Sequence, residues 1–223
     1  MPAPTDRTKS TTTAGRPRDT HIDAAVLDAA LALLGESGYH RFSIENTARR
    51  AGTTKPAVYR RWASRQQLVL AVLARQLGEV SAPDTDCTLC DISECINLYV
   101  QAFERMPPDV LGPLLADCTG SPRLRDEFMS TLFDPPRAAV EGTLDRALAR
   151  GDLRTDLDRP LTLDLLGSLV HYRALFGHAS TSEQEVESAV ETLLRGIATD
   201  YPSLLAHARA QDSASRAHPL HTD

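Results

Sequence analysis

The run Thr53-Thr54-Lys55-Pro56-Ala57-Val58-Tyr59-Arg60 gathers small side chains, a hydroxyl, an amine, a phenol and a guanidinium within a few turns of chain. That set suits a grooved polyanion. Ala57 and the Thr54 methyl can touch thymine methyl groups, and Lys55 can reach guanine edges or phosphate. Tyr59 and Arg60, one turn on, can hydrogen-bond phosphate oxygens. Ser43 and Ser64 are placed to cap helices whose free amino-terminal amides also receive phosphate. Arg16 and Arg18 lie in a Pro-, Thr- and Ser-rich start, residues 1–18, read as a flexible basic arm able to enter a minor groove. The alternative for these cations is a plain solvated helix face.

A second group of residues could bind a small molecule. His171 and Arg173 interrupt the apolar run Leu161 to Phe176. Either they are satisfied core or interface groups, or they orient a ligand. The expected lining in the second case is Phe103, Met106, Leu111 and Leu115, then Phe128, Met129 and Leu132, with Leu169 and Phe176 closing it. A largely apolar ligand follows from that lining. Cys87-Thr88-Leu89-Cys90, followed by Cys95 and Cys118, supplies one Cys-x-x-Cys without a second pair or spaced histidines, so no metal site is expected. The four thiols are read as ordinary, with a redox switch at Cys87 and Cys90 as the alternative. There is no nucleophile elbow, metal-binding His pair, phosphate loop or catalytic triad, which argues against an enzyme and implies no cofactor. A helical small-molecule-binding protein or enzyme is the competing reading from another class.

The elements that must position these groups read as helices. Ile22, Val26, Ala29/Ala30 and Leu33 recur at helical steps, so helix one is expected over about Thr20 to Ser37, with Gly38 as its stop. Ser43 begins a short second helix to Ala51, Gly52 turns the chain, and Thr53 or Thr54 caps a third through Arg61, with Pro56 in its first turn. Two short helices about a tight turn make a helix-turn-helix candidate. A fourth helix spans Ser64 to Val80, and Pro83 to Asp86 breaks the chain. Further helices are expected at Ile92 to Met106, Asp109 to Cys118, Ser121 to Arg150 with an interruption at Pro135-Pro136, Leu161 to Phe176 and Ser182 to Tyr201. Residues 202–223 are polar and read as a flexible tail. No alternating run suggests a strand, so the fold class is all-α.

Charge divides along the same line. Residues 1–70 hold 11 Lys/Arg against 6 Asp/Glu, and the remainder 13 against 24, within a net charge of −6. Only the first part should meet a polyanion. No apolar run approaches a membrane span, and no secretory leader shows at the start, so a cytoplasmic protein without membrane contact is expected.

The stretch Ala51-Gly52-Thr53-Thr54-Lys55-Pro56-Ala57-Val58-Tyr59-Arg60-Arg61-Trp62, with Ser64-Arg65 and Leu68, resembles the amino-terminal DNA-binding domain of the TetR family of transcriptional regulators. The likeness extends upstream through Gly15-Arg16-Pro17-Arg18, Gly38-Tyr39 and Phe42-Ser43. Thr47, Thr53 and Arg65 depart from the family's usual aliphatic residues and lysine. Leu111 to Leu115, Ala147 to Leu153 and Leu165 to Leu175 look like the family's ligand-binding and dimerisation half. The resemblance implies a homodimeric regulator, a repressor rather than an activator, released from a double-stranded operator by a small-molecule effector. The implied organisation is a three-helix DNA-binding domain over 19–63, a connecting helix over 64–80 and an effector and dimerisation domain over 84–201. Leu165, Leu169, Val186, Val190, Leu193 and Leu194 are the expected dimer interface, a four-helix arrangement from two chains. Two-fold symmetry implies a pseudo-palindromic operator.

Overall fold

The computed structural model describes residues 20–179 and 181–217. The arm bearing Arg16 and Arg18 lies outside them. Helices α1 (Thr20–Arg41, bent at Gly38), α2 (Ile44–Arg50), α3 (Lys55–Tyr59) and α4 (Arg65–Leu77) form the amino-terminal bundle. Beyond residues 78–87 come α5 (Thr88–Glu104), α6 (Pro108–Thr119), α7 (Pro122–Phe128), a π-helical turn (Met129–Phe133), α8 (Asp134–Ala149), α9 (Arg159–Phe176), α10 (Glu183–Ile197) and α11 (Tyr201–Ala217). Among the described residues no strand forms, and one isolated bridge joins Leu153 to Ala198. Nor, among them, is any helix long and apolar enough to cross a membrane.

Apolar periodicity explains most of this architecture. Val26, Ala30 and Leu34 of α1 face Leu68, Val69, Val72 and Leu73 of α4 in a fully buried seam. In the second part α5 is the axial helix, packed by α8, α9, α10 and α11. The two parts are not separated by solvent. α1 packs on α6 and α4 on the π-helical turn, and one apolar core runs through both.

α3, α4 and α10 end two to four residues short of expectation, at Tyr59, Leu77 and Ile197, and three larger differences each have a physical reason. α5 starts at Thr88 rather than Ile92, because its first turn is held by polar burial that periodicity cannot register. Asp91 is fully buried, accepts from the Thr85 amide (2.9 Å) and hydroxyl (2.8 Å), and faces the Arg150 guanidinium at 3.7 Å. The break in the 121–150 segment falls at the π-helical turn, one residue before Pro135-Pro136 begin their place in the first turn of α8. There the prolines displace no internal hydrogen bond. The flexible tail is corrected to a helix: residues 201–217 form α11, whose Leu204 and Ala208, one turn apart, are buried where it packs on α5. Arg195 also lies over the Tyr201 ring at 4.9 Å, and Gln211 donates to the Thr85 carbonyl.

Candidate functional site

The helix-turn-helix is assembled by its caps. The Ser43 hydroxyl accepts from the Asn46 amide (3.2 Å) at the start of α2, and the Thr54 hydroxyl accepts from the Ala57 amide (3.3 Å) at the start of α3. Between them Gly52 takes φ 64°, a left-handed conformation that a β-carbon disfavours, so the turn can be this tight. Val58 anchors α3 from its inner side. Lys55, Pro56, Tyr59 and Arg60 point outward, and Tyr59 is 44% exposed. Ser43, Lys55, Tyr59 and Arg65 border a single surface cleft, with Lys55 Nζ 3.9 Å from Glu45.

Two candidates are placed otherwise than expected. Ala57 is only 7% exposed and turns into the bundle beside Val58, so its methyl does not face a groove. A helix of five residues must spend part of its length on anchoring. Arg65 is engaged inward: its guanidinium lies 4.4 Å from the Tyr39 ring centroid and pairs with Asp117 of α6 at 3.1 Å. Thr54, Lys55, Pro56, Tyr59 and Arg60 are exposed, and Thr53 is half-buried, with its amide bonded to the Ala48 carbonyl. Ser64 caps α4 on the Gln67 amide (3.1 Å). Some of the amino-terminal cations are neutralised within the bundle, Arg50 on Glu36 and Arg61 on Asp23.

Sequence reasoning missed the junction to which Arg65 belongs. The Tyr39 hydroxyl donates to Asp117 Oδ2 (2.6 Å), and Gln66 Nε2 donates to the same oxygen (3.0 Å). Hydrogen bonding by Tyr39 holds the Asp117 carboxyl below its usual range, while burial, ahead of the Asp117 bond, pushes the Tyr39 phenol up. One carboxylate of the second part thus gathers three side chains of the first. No spacing rule pairs residues so far apart in sequence.

The expected pocket is only partly realised. A cavity of about 360 Å³ opens beside His171, with Met129 as the other expected lining residue and Tyr99, Phe133, Leu163 and Ser168 as unanticipated ones. Met106, Leu111, Phe128 and Leu132 are close-packed core, Phe103 packs tilted against the His171 ring with centroids 4.9 Å apart, and Leu115 is half-buried on α6. Phe176 is corrected to the surface, at 73% exposed. Arg173 is corrected to an ion pair with Glu185 at 2.7 Å. Hydrogen bonds from Ser182 and then Arg173 hold that carboxyl down at about 2.

The expected dimer surface splits in two. Val186, Val190 and Leu194 are buried within the chain against its own core, because α10 turns that stripe toward α5. Leu165, Leu169 and Leu193 instead line an open apolar groove of about 630 Å³ between α9 and α10, floored with small residues such as Ala189 and Gly196. Leu161, Tyr172 and Phe176 extend the exposed apolar face along α9. Cys87 and Cys90 form a disulfide at the start of α5, contrary to the expectation of four ordinary thiols. Cys95 and Cys118 are free and buried, and burial pushes the Cys95 thiol up to about 11. Among the described residues no cluster of His, Cys, Asp and Glu could hold a metal ion.

An all-helical chain with a capped helix-turn-helix, joined to a larger helical body with its own cavity and an exposed apolar face, defines a class: helix-turn-helix transcriptional regulators. Residues 26–72 match the domain described as bacterial regulatory proteins of the tetR family, and residues 82–193 match the tetracyclin repressor-like C-terminal domain. The chain belongs to the TetR family of transcriptional regulators, and it is not an enzyme. It is 26% identical over 184 residues to the uncharacterized HTH-type transcriptional regulator YdeS of Bacillus subtilis, covering 82% of this chain and 93% of that one. It is 28% identical over 156 residues to the DNA-binding transcriptional repressor TetR of Mycobacteroides abscessus, covering 69% and 82% respectively. Among solved structures, the TetR family transcription regulator SCO0332 superposes with a TM-score of 0.62 at 25% identity, over 79% of this chain and 98% of that one.

Proposed function

We propose that the chain is a homodimeric repressor that binds a pseudo-palindromic operator and is released from it by a small, largely apolar effector. The observation that carries this is the Tyr39–Arg65–Asp117 junction. It ties the helix-turn-helix to α6, so that a displacement of α6 must move or break contacts that set the position of α4 and, through it, α3. DNA favours one spacing of the two recognition helices and the effector another, a shift between two populated states. Lys55, Tyr59 and Arg60 make the outward DNA surface, with Ser43, Thr54 and the amide ends of α2 and α3 receiving phosphate. Arg16 and Arg18 reach the minor groove from the arm. Leu165, Leu169 and Leu193 meet their counterparts across the two-fold axis. The relative from M. abscessus, itself a repressor by name, supports the sign of regulation. Selection of bound duplexes from a random pool by the full chain tests this directly: a two-fold symmetric motif is expected, and no enrichment overturns it.

The disulfide favours a second reading, redox control. Two thiols at Cys87 and Cys90 would lose two protons and two electrons to a hydroperoxide, which is reduced to alcohol and water, and the resulting bond would stiffen the first turn of α5. Operator affinity that changes on peroxide treatment in the wild type but not in Cys87→Ser/Cys90→Ser supports it. Identical behaviour of the two proteins removes it.

A further inference from the structure

The cavity beside His171 has a chemistry more specific than apolar. Its walls are rings and a thioether. The His171 imidazole sits among Tyr99, Phe103 and Phe133, with ring centroids 5.2, 4.9 and 5.1 Å away, and Met129 and Leu163 complete the apolar lining. Flat, polarised walls of this kind favour a planar ring presented edge-on or offset. The ring is also held in place from behind. A β-carbon on Gly167 would stand 2.8 Å from His171 Cε1, so glycine one turn earlier in α9 is what lets the imidazole fold back along its own helix.

Polar groups in this site divide into satisfied and unsatisfied. At the mouth Arg137 pairs with Asp164 and also donates to the Pro160 carbonyl, so its charge is already answered. His171, which also lines the cavity, has its Nε2 buried without a hydrogen-bond partner. A buried polar atom in that condition is costly unless something fills the gap. Burial pushes His171 down to about 4 and Tyr99 up to about 12, so the interior offers two neutral groups and no net charge. An anion would have to displace Asp164 from Arg137, and a cation would have to displace Arg137 from Asp164. A hydroxyl can donate to Nε2 or accept from it, whichever tautomer the ring adopts. With about 360 Å³ available, the site is at the small end of ligand pockets, which span roughly 300–1,000 Å³.

We propose that this cavity binds an uncharged aromatic molecule of one or two rings bearing a hydroxyl group, its ring against Tyr99, Met129 and Phe133 and its hydroxyl hydrogen-bonded to His171 Nε2. The assignment rests on the reading of the second domain as the effector domain and names the class of effector. It selects phenols and naphthols over acids, amines and long acyl chains.

The test is calorimetric titration of the full chain with 2-naphthol, naphthalene, 2-naphthoate and decanoate. 2-Naphthol should bind about tenfold more tightly than naphthalene, the difference expected of one buried hydrogen bond, and the two carboxylates should bind more weakly than either. His171→Phe, which keeps a ring and removes the nitrogen, should bind both neutral compounds alike. Met129→Trp, at a half-open wall of the cavity, should abolish binding of both. The wild-type comparison needs no variant to fold. Equal affinity for 2-naphthol and naphthalene, a preference for either carboxylate, or no binding of 2-naphthol overturns the proposal. Failure here with a palindromic operator still selected leaves the regulator reading standing. Tight, His171-dependent 2-naphthol binding that leaves operator affinity unchanged keeps the ligand class and removes the ligand-responsive reading.

Discussion

Asp117 shows how much one side chain can hold. Its carboxylate accepts from Tyr39, Arg65 and Gln66, three residues of the other domain. A hydrogen bond to a charged acceptor contributes about 1.5–3 kcal/mol when well shielded, and partial exposure reduces this well below the sum for three. Asp117→Ala should therefore lower unfolding stability by about 1–2 kcal/mol in urea titrations. It should also weaken the communication between ligand and operator, read as a smaller ligand-induced change in operator affinity. An unchanged response in a destabilised protein would assign Asp117 to stability alone. His171 makes a pH prediction. Burial first, and Arg137 second, push it from 6.5 to about 4, with Asp164 opposing. The unfolded chain takes up a proton below its ordinary value that the folded chain refuses until about 4, so stability is lost as pH falls through that window. Thermal melts at about pH 7 and about pH 4.5 should show a smaller acid loss in His171→Phe than in the wild type. Residue-level placement was the least legible part of the sequence. An apolar side chain at a helical step looks the same whether it packs solidly, as Met106 and Leu132 do, or borders a cavity, as Met129 does.

Helices were read from the sequence where burial is apolar and continuous. α1, α4, α9 and α10 all carry stripes that identify them, with Ser64 marking the start of α4 and Ser182 that of α10. α11 escaped because its buried seam is two residues, Leu204 and Ala208, in a polar Ala-rich sequence. The first turn of α5 escaped because Thr88 and Asp91 are buried by hydrogen bonding. Element-scale tests follow from this. Leu204→Asp should release α11 and expose the α5 face beneath it, seen as faster amide exchange along α11 than in the wild type. Thr54→Ala removes the cap of α3 and should cost about 1 kcal/mol, with a matching loss of operator affinity because the same hydroxyl orders the recognition helix.

At the scale of the whole molecule, charge and apolar surface are segregated. The basic excess lies in the amino-terminal part, and the exposed Leu161, Leu165, Tyr172 and Phe176 all lie on α9 of the second part. A patch of this kind marks an association surface. If the proposed dimer forms through this face, Leu165→Glu with Leu193→Glu should sediment as a monomer and lose high-affinity operator binding, since a single recognition helix loses the second half-site. A variant that stays dimeric would move the interface elsewhere.

The central claim, that α3 presents a sequence-reading surface to DNA, is tested most directly by anisotropy titration of the selected duplex with wild type and Lys55→Ala across a salt series. The account predicts tight wild-type binding that weakens steeply with salt, and a folded Lys55→Ala protein that no longer distinguishes the selected duplex from random DNA, because Lys55 is the outward side chain of α3 that reaches guanine edges. Wild-type affinity indifferent to salt, or Lys55→Ala retaining full preference for the selected duplex, would contradict it.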